Sequence, residues 1–167
     1  MIRRLLVALV AIFVLMQLYR PGRENPAVDP AMTLAARVEV PAEVQELLDR
    51  SCADCHSHAT KWPWYSQVAP VSWSVARHVE EGREHLNFDR WGEYTLYEAQ
   101  QKLGEMCEET KEGEMPLPVY LRMHRDAKLS DADFEVLCGW ALRNMLVLRA
   151  EMGDAASVPD AHHETDH

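Results

Sequence analysis

The sequence predicts an all-α fold, and three observations predict it. Apolar residues recur at three- and four-residue steps in four separate stretches. Two of these open on a hydroxyl residue followed three positions later by an acid, Thr95 with Glu98 and Ser130 with Asp133, the pattern that caps a helix N-terminus. No stretch alternates at period two, as a half-buried strand would.

Taken in order, the chain opens with Arg3 and Arg4 before an apolar run from Leu5 to Leu18 that only Gln17 interrupts, closed by Tyr19-Arg20-Pro21-Gly22. A basic start before a short apolar core reads as an export signal. The run falls short of a usual spanning helix, although Met1, Ile2 and Tyr19 extend it. No small-residue cleavage site follows, so residues 1–21 read as an uncleaved signal anchor, a transmembrane helix with Arg3 and Arg4 on the cytoplasmic side. Residues 22–41, with Gly22, Pro26, Pro30 and Pro41, read as a flexible linker with a reach of roughly 25 Å. The domain proper is expected over 42–150. Its helices begin with the Val44, Leu47, Leu48, Ser51 stripe. A second runs from Pro70 through Val71, Val75, His78, Val79 and Leu86. Behind Thr95 a third carries Leu96, Ala99, Leu103, Met106 and Cys107, with Gly113 placed to end it. The last carries Phe134, Leu137, Cys138, Ala141, Leu142, Met145 and Leu146. Residues 151–167, rich in Ala, Asp and His, read as a disordered acidic tail.

The first stripe runs straight into Cys52-Ala53-Asp54-Cys55-His56, a C-x-x-C-H motif. Two thiols at this spacing reach the two vinyl groups of one haem, and the adjacent imidazole reaches its iron. Cys52, Cys55 and His56 are therefore the expected cofactor-binding residues, with one covalent haem c per chain and His56 as an iron ligand. Half of a zinc site, or a disulfide beside a bystander histidine, is the plainer alternative. Covalent attachment of this kind takes place outside the bacterial cytoplasm, in agreement with the N-terminus.

The second iron ligand is expected to be Met115. It precedes Pro116 in a loop bounded by Gly113 and Pro118, where a thioether approaches a metal without competing with helix packing. Methionine opposite histidine raises a haem's reduction potential relative to two histidines, which suits an electron carrier. Met106 and Met123 lie inside helical pattern and read as core. His78 and His85, seven residues apart on one helix, stand as alternative distal ligands or as donors to a propionate. His58 sits too near His56 to reach the opposite haem face, His124 reads as an ordinary loop histidine, and His162, His163 and His167 lie on the tail.

Trp62, Trp64, Tyr65 and Trp73 crowd the segment after the motif. They read either as a wall for the porphyrin or as ordinary core, and a carbonyl near Pro63 or Pro70 would accept the Nδ1–H of His56. Cys107 and Cys138 on their stripes are either two small buried hydrophobes or, in an oxidising compartment, a disulfide. From Glu24 onward 13 basic residues face 27 acidic ones, a net of −14. That balance argues against nucleic acid or anionic lipid as a partner; it either favours a redox partner with a basic docking surface or serves only to keep the domain soluble.

Four separated blocks together resemble the periplasmic haem-binding domain family of small membrane-tethered c-type proteins: Cys52 to Ser66, Ala69 to Trp73, His78 to Phe88, and Met115-Pro116-Leu117. The resemblance spans roughly 40–145. It implies a cytochrome-c-like haem domain, sometimes found alongside di-haem peroxidases, with attachment at Cys52, Cys55 and His56. Met115 as ligand extends the wider cytochrome c pattern, while the block from His78 to His85 has no counterpart in ordinary small cytochromes.

The expectation is a single-pass protein of the bacterial inner membrane whose haem domain faces the periplasm and passes single electrons. No nucleophile–base pair or paired-carboxylate site stands out, so the polypeptide is not read as an enzyme. A haem peroxidase module or haem-based sensor, with His78 or His85 over an open iron position, is the alternative.

Overall fold

The apolar periodicities become helices in the computed structural model, which describes residues 1–157; among these no strand forms. The four expected domain helices are α3 (Ala42–Ser51), α5 (Val71–His85), α6 (Leu96–Glu112) and α8 (Asp131–Ser157). Around them lie α1 (Ile2–Met16) and the single-turn helices α2 (Leu34–Arg37), α4 (Ala53–His56) and α7 (Pro118–Leu121). Both caps form as expected. Thr95 and Glu98 exchange bonds at the start of α6, and Ser130 and Asp133 do the same before α8. Gly113 closes α6 in the left-handed conformation, φ 76°, which a side chain would strain.

The core lies where α6 and α8 meet α3. Ala99, Leu103 and Met106 interlock with Leu137, Trp140 and Ala141, and Val44, Leu47 and Leu48 close the third side. Burying each large side chain contributes about 1.5–3 kcal/mol. Trp140 is 1% exposed and still satisfies its indole N–H, which donates to the Glu39 carbonyl at 2.9 Å. A disulfide between Cys107 and Cys138 ties α6 to α8 through this core.

Three expectations change. The N-terminal run forms a helix of only 15 residues, and among the described residues no helix is long and apolar enough to cross a membrane. Gln17 caps the end of that helix, its Nε2 donating to Phe13 O. The stretch 22–41 is laid along the domain rather than hanging as a leash. Arg23 donates to Ser66 O and Asn25 to Thr60 O, α2 forms, and Leu34 enters the core. Lone polar side chains in a Pro-rich segment carry no periodic signal, so these long-range bonds escape a sequence reading. The tail read over 151–167 is helical as far as Ser157, continuing α8; the rest, with His162, His163 and His167, lies outside the described residues.

Candidate functional site

α3 ends at Ser51 and the C-x-x-C-H motif follows on α4, a single turn, so Cys52, Cys55 and His56 border one cavity. α5 packs across this turn. Its buried face is Ser72, Ala76, Val79 and Gly82; of the expected stripe Val79 is buried, while Val71 is exposed and small residues take the other places. The reason is the closeness of the approach. A Cβ on Gly82 would stand 2.9 Å from the Cys55 carbonyl oxygen and 3.1 Å from the Cys55 Cβ, so only glycine fits.

The same contact orients His56. Its Nδ1 lies 2.9 Å from Gly82 O and 3.0 Å from Leu86 O. Both are acceptors only, so Nδ1 carries the proton and Nε2 keeps a free lone pair, the state in which imidazole binds a metal. Burial holds the His56 imidazole below its ordinary pKa, with the two carbonyl bonds opposing. The acceptors were expected near Pro63 or Pro70. They are instead carbonyls at the C-terminal end of α5, which a helix leaves partly unpaired.

A cavity of about 640 Å³ opens at this point, within the range of a cofactor pocket. Cys52, Cys55, His56 and Phe88 border it, and so do Met115, Pro116 and Tyr120. His56 and Met115, 59 apart in sequence, thus border one cavity. Gly113 turns the chain out of α6, the amides of Glu114 and Met115 both donate to Glu109 O, and Met115 arrives at the cavity. His78 and His85 border the cavity as well, as their seven-residue spacing implied. Met106 belongs to the core and borders the cavity from there, while Met123 is exposed.

The tryptophans do not wall this cavity. Trp62 donates to Asn25 Oδ1, Trp73 donates to Tyr19 O, and Trp64 is 73% exposed. Phe88, whose ring centroid is 6.1 Å from that of His56, takes the expected place. His58 lies off the site. Asn87 donates to its Nε2 at 3.0 Å, and its buried Nδ1 has no partner among the described residues.

Sequence reasoning missed a second layer around the motif. The Tyr120 hydroxyl donates to Asp54 Oδ2 at 2.8 Å, joining α7 to the inner x-x of the attachment motif. His124 stacks on Tyr120 with centroids 4.1 Å apart, and the Tyr65 hydroxyl lies 2.6 Å from His124 Nε2. Burial and the bonded Asp54 carboxylate push the Tyr120 phenol far above its ordinary range, so it stays a donor. Arg83 donates to Ser57 O and Thr60 Oγ1 and also to Glu24 O, fastening the chain on both sides of the motif. A Tyr-x-x-x-His spacing in a short loop is the one local hint of the stacked pair.

The donor set fits a haem. Burial pushes the Cys52 thiol up to about 12 and the Cys55 thiol to about 11, so both remain neutral thiols in an apolar wall. Ser51 Oγ, on the same wall, is buried without a hydrogen-bond partner, as befits a wall built to face something other than protein.

A haem-binding domain family matches residues 11–143. The chain belongs to that family. No curated protein and no solved structure matches it. The match runs from within α1 to within α8, so this haem-binding domain includes the packed N-terminal stretch as well as the four domain helices.

Proposed function

We propose that this haem-binding domain is a c-type, cytochrome-c-like electron carrier that holds one covalent haem and passes single electrons. Cys52 and Cys55 would hold the porphyrin by thioether bonds, and His56, through Nε2, and Met115 would bind its iron. The observation that carries this reading is the convergence of the C-x-x-C-H turn and the Met115 loop on one cavity, with the His56 tautomer held by two carbonyls. When bound, the haem supplies a one-electron iron couple. The chain's own part is to orient the imidazole, close the apolar wall with Phe88 and Leu86, and bring the thioether across. Glu81, Glu105 and Glu109 border the cavity, which supports docking of a partner with a basic surface.

We place the protein at the periplasmic face of a bacterial inner membrane, held by its N-terminus. α1 is fully apolar beyond Arg4, and its side chains from Ile2 to Leu15 are exposed. Its 15 residues span about 22 Å. Met1, Leu18 and Tyr19 lengthen the apolar segment, and a short segment is accommodated by local thinning of the bilayer.

A second reading, a peroxidase module or sensor with an exchangeable distal position, draws support from His78 at the same cavity. Optical spectroscopy of the holoprotein from a host with haem-maturation machinery separates the two. The carrier requires pigment that survives acidified organic solvent and a six-coordinate low-spin ferric spectrum with the weak long-wavelength band of methionine ligation. A colourless protein or extractable pigment overturns covalent attachment. A five-coordinate spectrum, with fast carbon monoxide binding after reduction, favours the enzyme or sensor.

A further inference from the structure

We infer that the face around Trp64, Val68 and Val71 is a bilayer-docking surface, on which the haem domain lies directly against the membrane that α1 enters. The inference rests on the reading of α1 as a membrane segment and adds to it a fixed seat for the domain. Three observations carry it. The first is attachment: the end of α1 is stitched to this face. Gln17 exchanges two bonds with Ala69, its Oε1 accepting from the amide at 2.9 Å and its Nε2 donating to the carbonyl at 3.3 Å. Trp73 donates to Tyr19 O at 3.0 Å, with the Tyr19 ring edge-on 5.8 Å away. The domain therefore cannot swing on a leash away from the point where the apolar helix begins.

The second is composition. Trp64 is 73% exposed and Val71 48%, and Val68 flanks the same Ala69 that Gln17 holds. These apolar side chains lie in the segment that holds the end of α1, where Tyr19 and Trp73 pack together, and aromatic rings settle at a membrane–water interface. The third is charge. The chain has 27 acidic residues, yet the 25 positions from Cys55 to Val79 contain none, and the charged groups there are Lys61 and Arg77. The carboxylates that reach this segment from outside it, Asp54 at the Lys61 amide and Asp89 at the His58 amide, both lie at its start, ahead of residues 62–73. The geometry also sets a reach. α5 starts on this face at Val71 and brings Gly82 to His56 eleven residues later, about 16 Å along the helix. That length is the upper limit on how far α5 can lift the His56 site from the docked face.

Photolabelling tests this with the full-length holoprotein in phosphatidylethanolamine–phosphatidylglycerol vesicles carrying a phospholipid with a diazirine near its headgroup. Adducts are expected on peptides of α1 and of residues 62–73, and not on α6. The Val68→Glu/Val71→Glu variant should lower labelling of 62–73 by about tenfold while leaving α1 adducts and the haem spectrum unchanged. Adducts confined to α1 overturn the docking surface and leave the membrane segment standing; so does labelling of α6 as heavy as that of 62–73. Adducts on neither α1 nor 62–73 overturn both.

Discussion

The carbonyl oxygen of Gly82 lies 2.9 Å from Nδ1 of His56, while the Cα of the same glycine is pressed against Cys55. One residue of α5 thereby sets both the tautomer of the proposed iron ligand and the depth at which the helix crosses the attachment turn.

Gly82→Ala should therefore be costly despite improving helix propensity. The added methyl gains about 1 kcal/mol in the helix, but it meets backbone atoms of Cys55, which do not move aside as a flexible side chain would. Overpacking of this kind costs about 1–3 kcal/mol and sits at the upper end when the obstacle is backbone. We expect a lower Tm and a smaller haem-to-protein absorbance ratio. Wild-type values for both would refute the cradle.

Met115→Ala is expected to convert a low-spin spectrum to a high-spin one, whereas His78→Ala and His85→Ala should leave it low-spin. All three side chains border the cavity, so optical and electron paramagnetic spectra decide among them. Loss of the low-spin form in His78→Ala would transfer the ligand role to that histidine.

Tyr120→Phe removes a hydrogen bond to a carboxylate, worth about 1.5–3 kcal/mol, and with it the tie between α7 and the attachment motif. Since Tyr120 and Met115 border the same cavity five residues apart, we expect faster amide exchange in residues 115–121 and a weaker methionine-ligation band. Lower stability with an unaltered band would confine Tyr120 to folding.

The Cys107–Cys138 bond closes a loop with a sequence separation of 31. In the chain-entropy account its loss costs about 3–4 kcal/mol. Denaturant titration of Cys107→Ala/Cys138→Ala should show that drop with haem still attached. A mass comparison after alkylation with and without reductant checks the bond itself.

Acid should loosen the start of α8. The Ser130 amide and hydroxyl, with Arg50 beside them, hold the Asp133 carboxyl below its ordinary pKa. A carboxylate depressed in the folded state contributes stability that is fully present above its unfolded pKa, about 3.9, and is lost as pH falls through the lower folded value. Asp133→Asn should lower stability at neutral pH and flatten the acid limb below about 4, so that the two proteins converge in acid. An unchanged acid limb would show that this cap does not contribute.

What the sequence determined by itself was local. Cys52, Cys55 and His56 fall within one helical turn, so the attachment proposed for them was legible from spacing alone. The four domain helices follow from three- and four-residue periodicity, and their ends from Thr95, Gly113 and Ser130, each acting on neighbours within a few residues. Only the tertiary structure decided what lies beyond that range: Gly82 and Leu86 as the acceptors of His56, Tyr120 on Asp54, Arg83 across the motif, and the N-terminal stretch along the domain. These contacts join residues 26 to 66 positions apart through single polar atoms or a single missing side chain. Such contacts leave no periodic trace, because their free energy comes from one close approach rather than from a repeated apolar face.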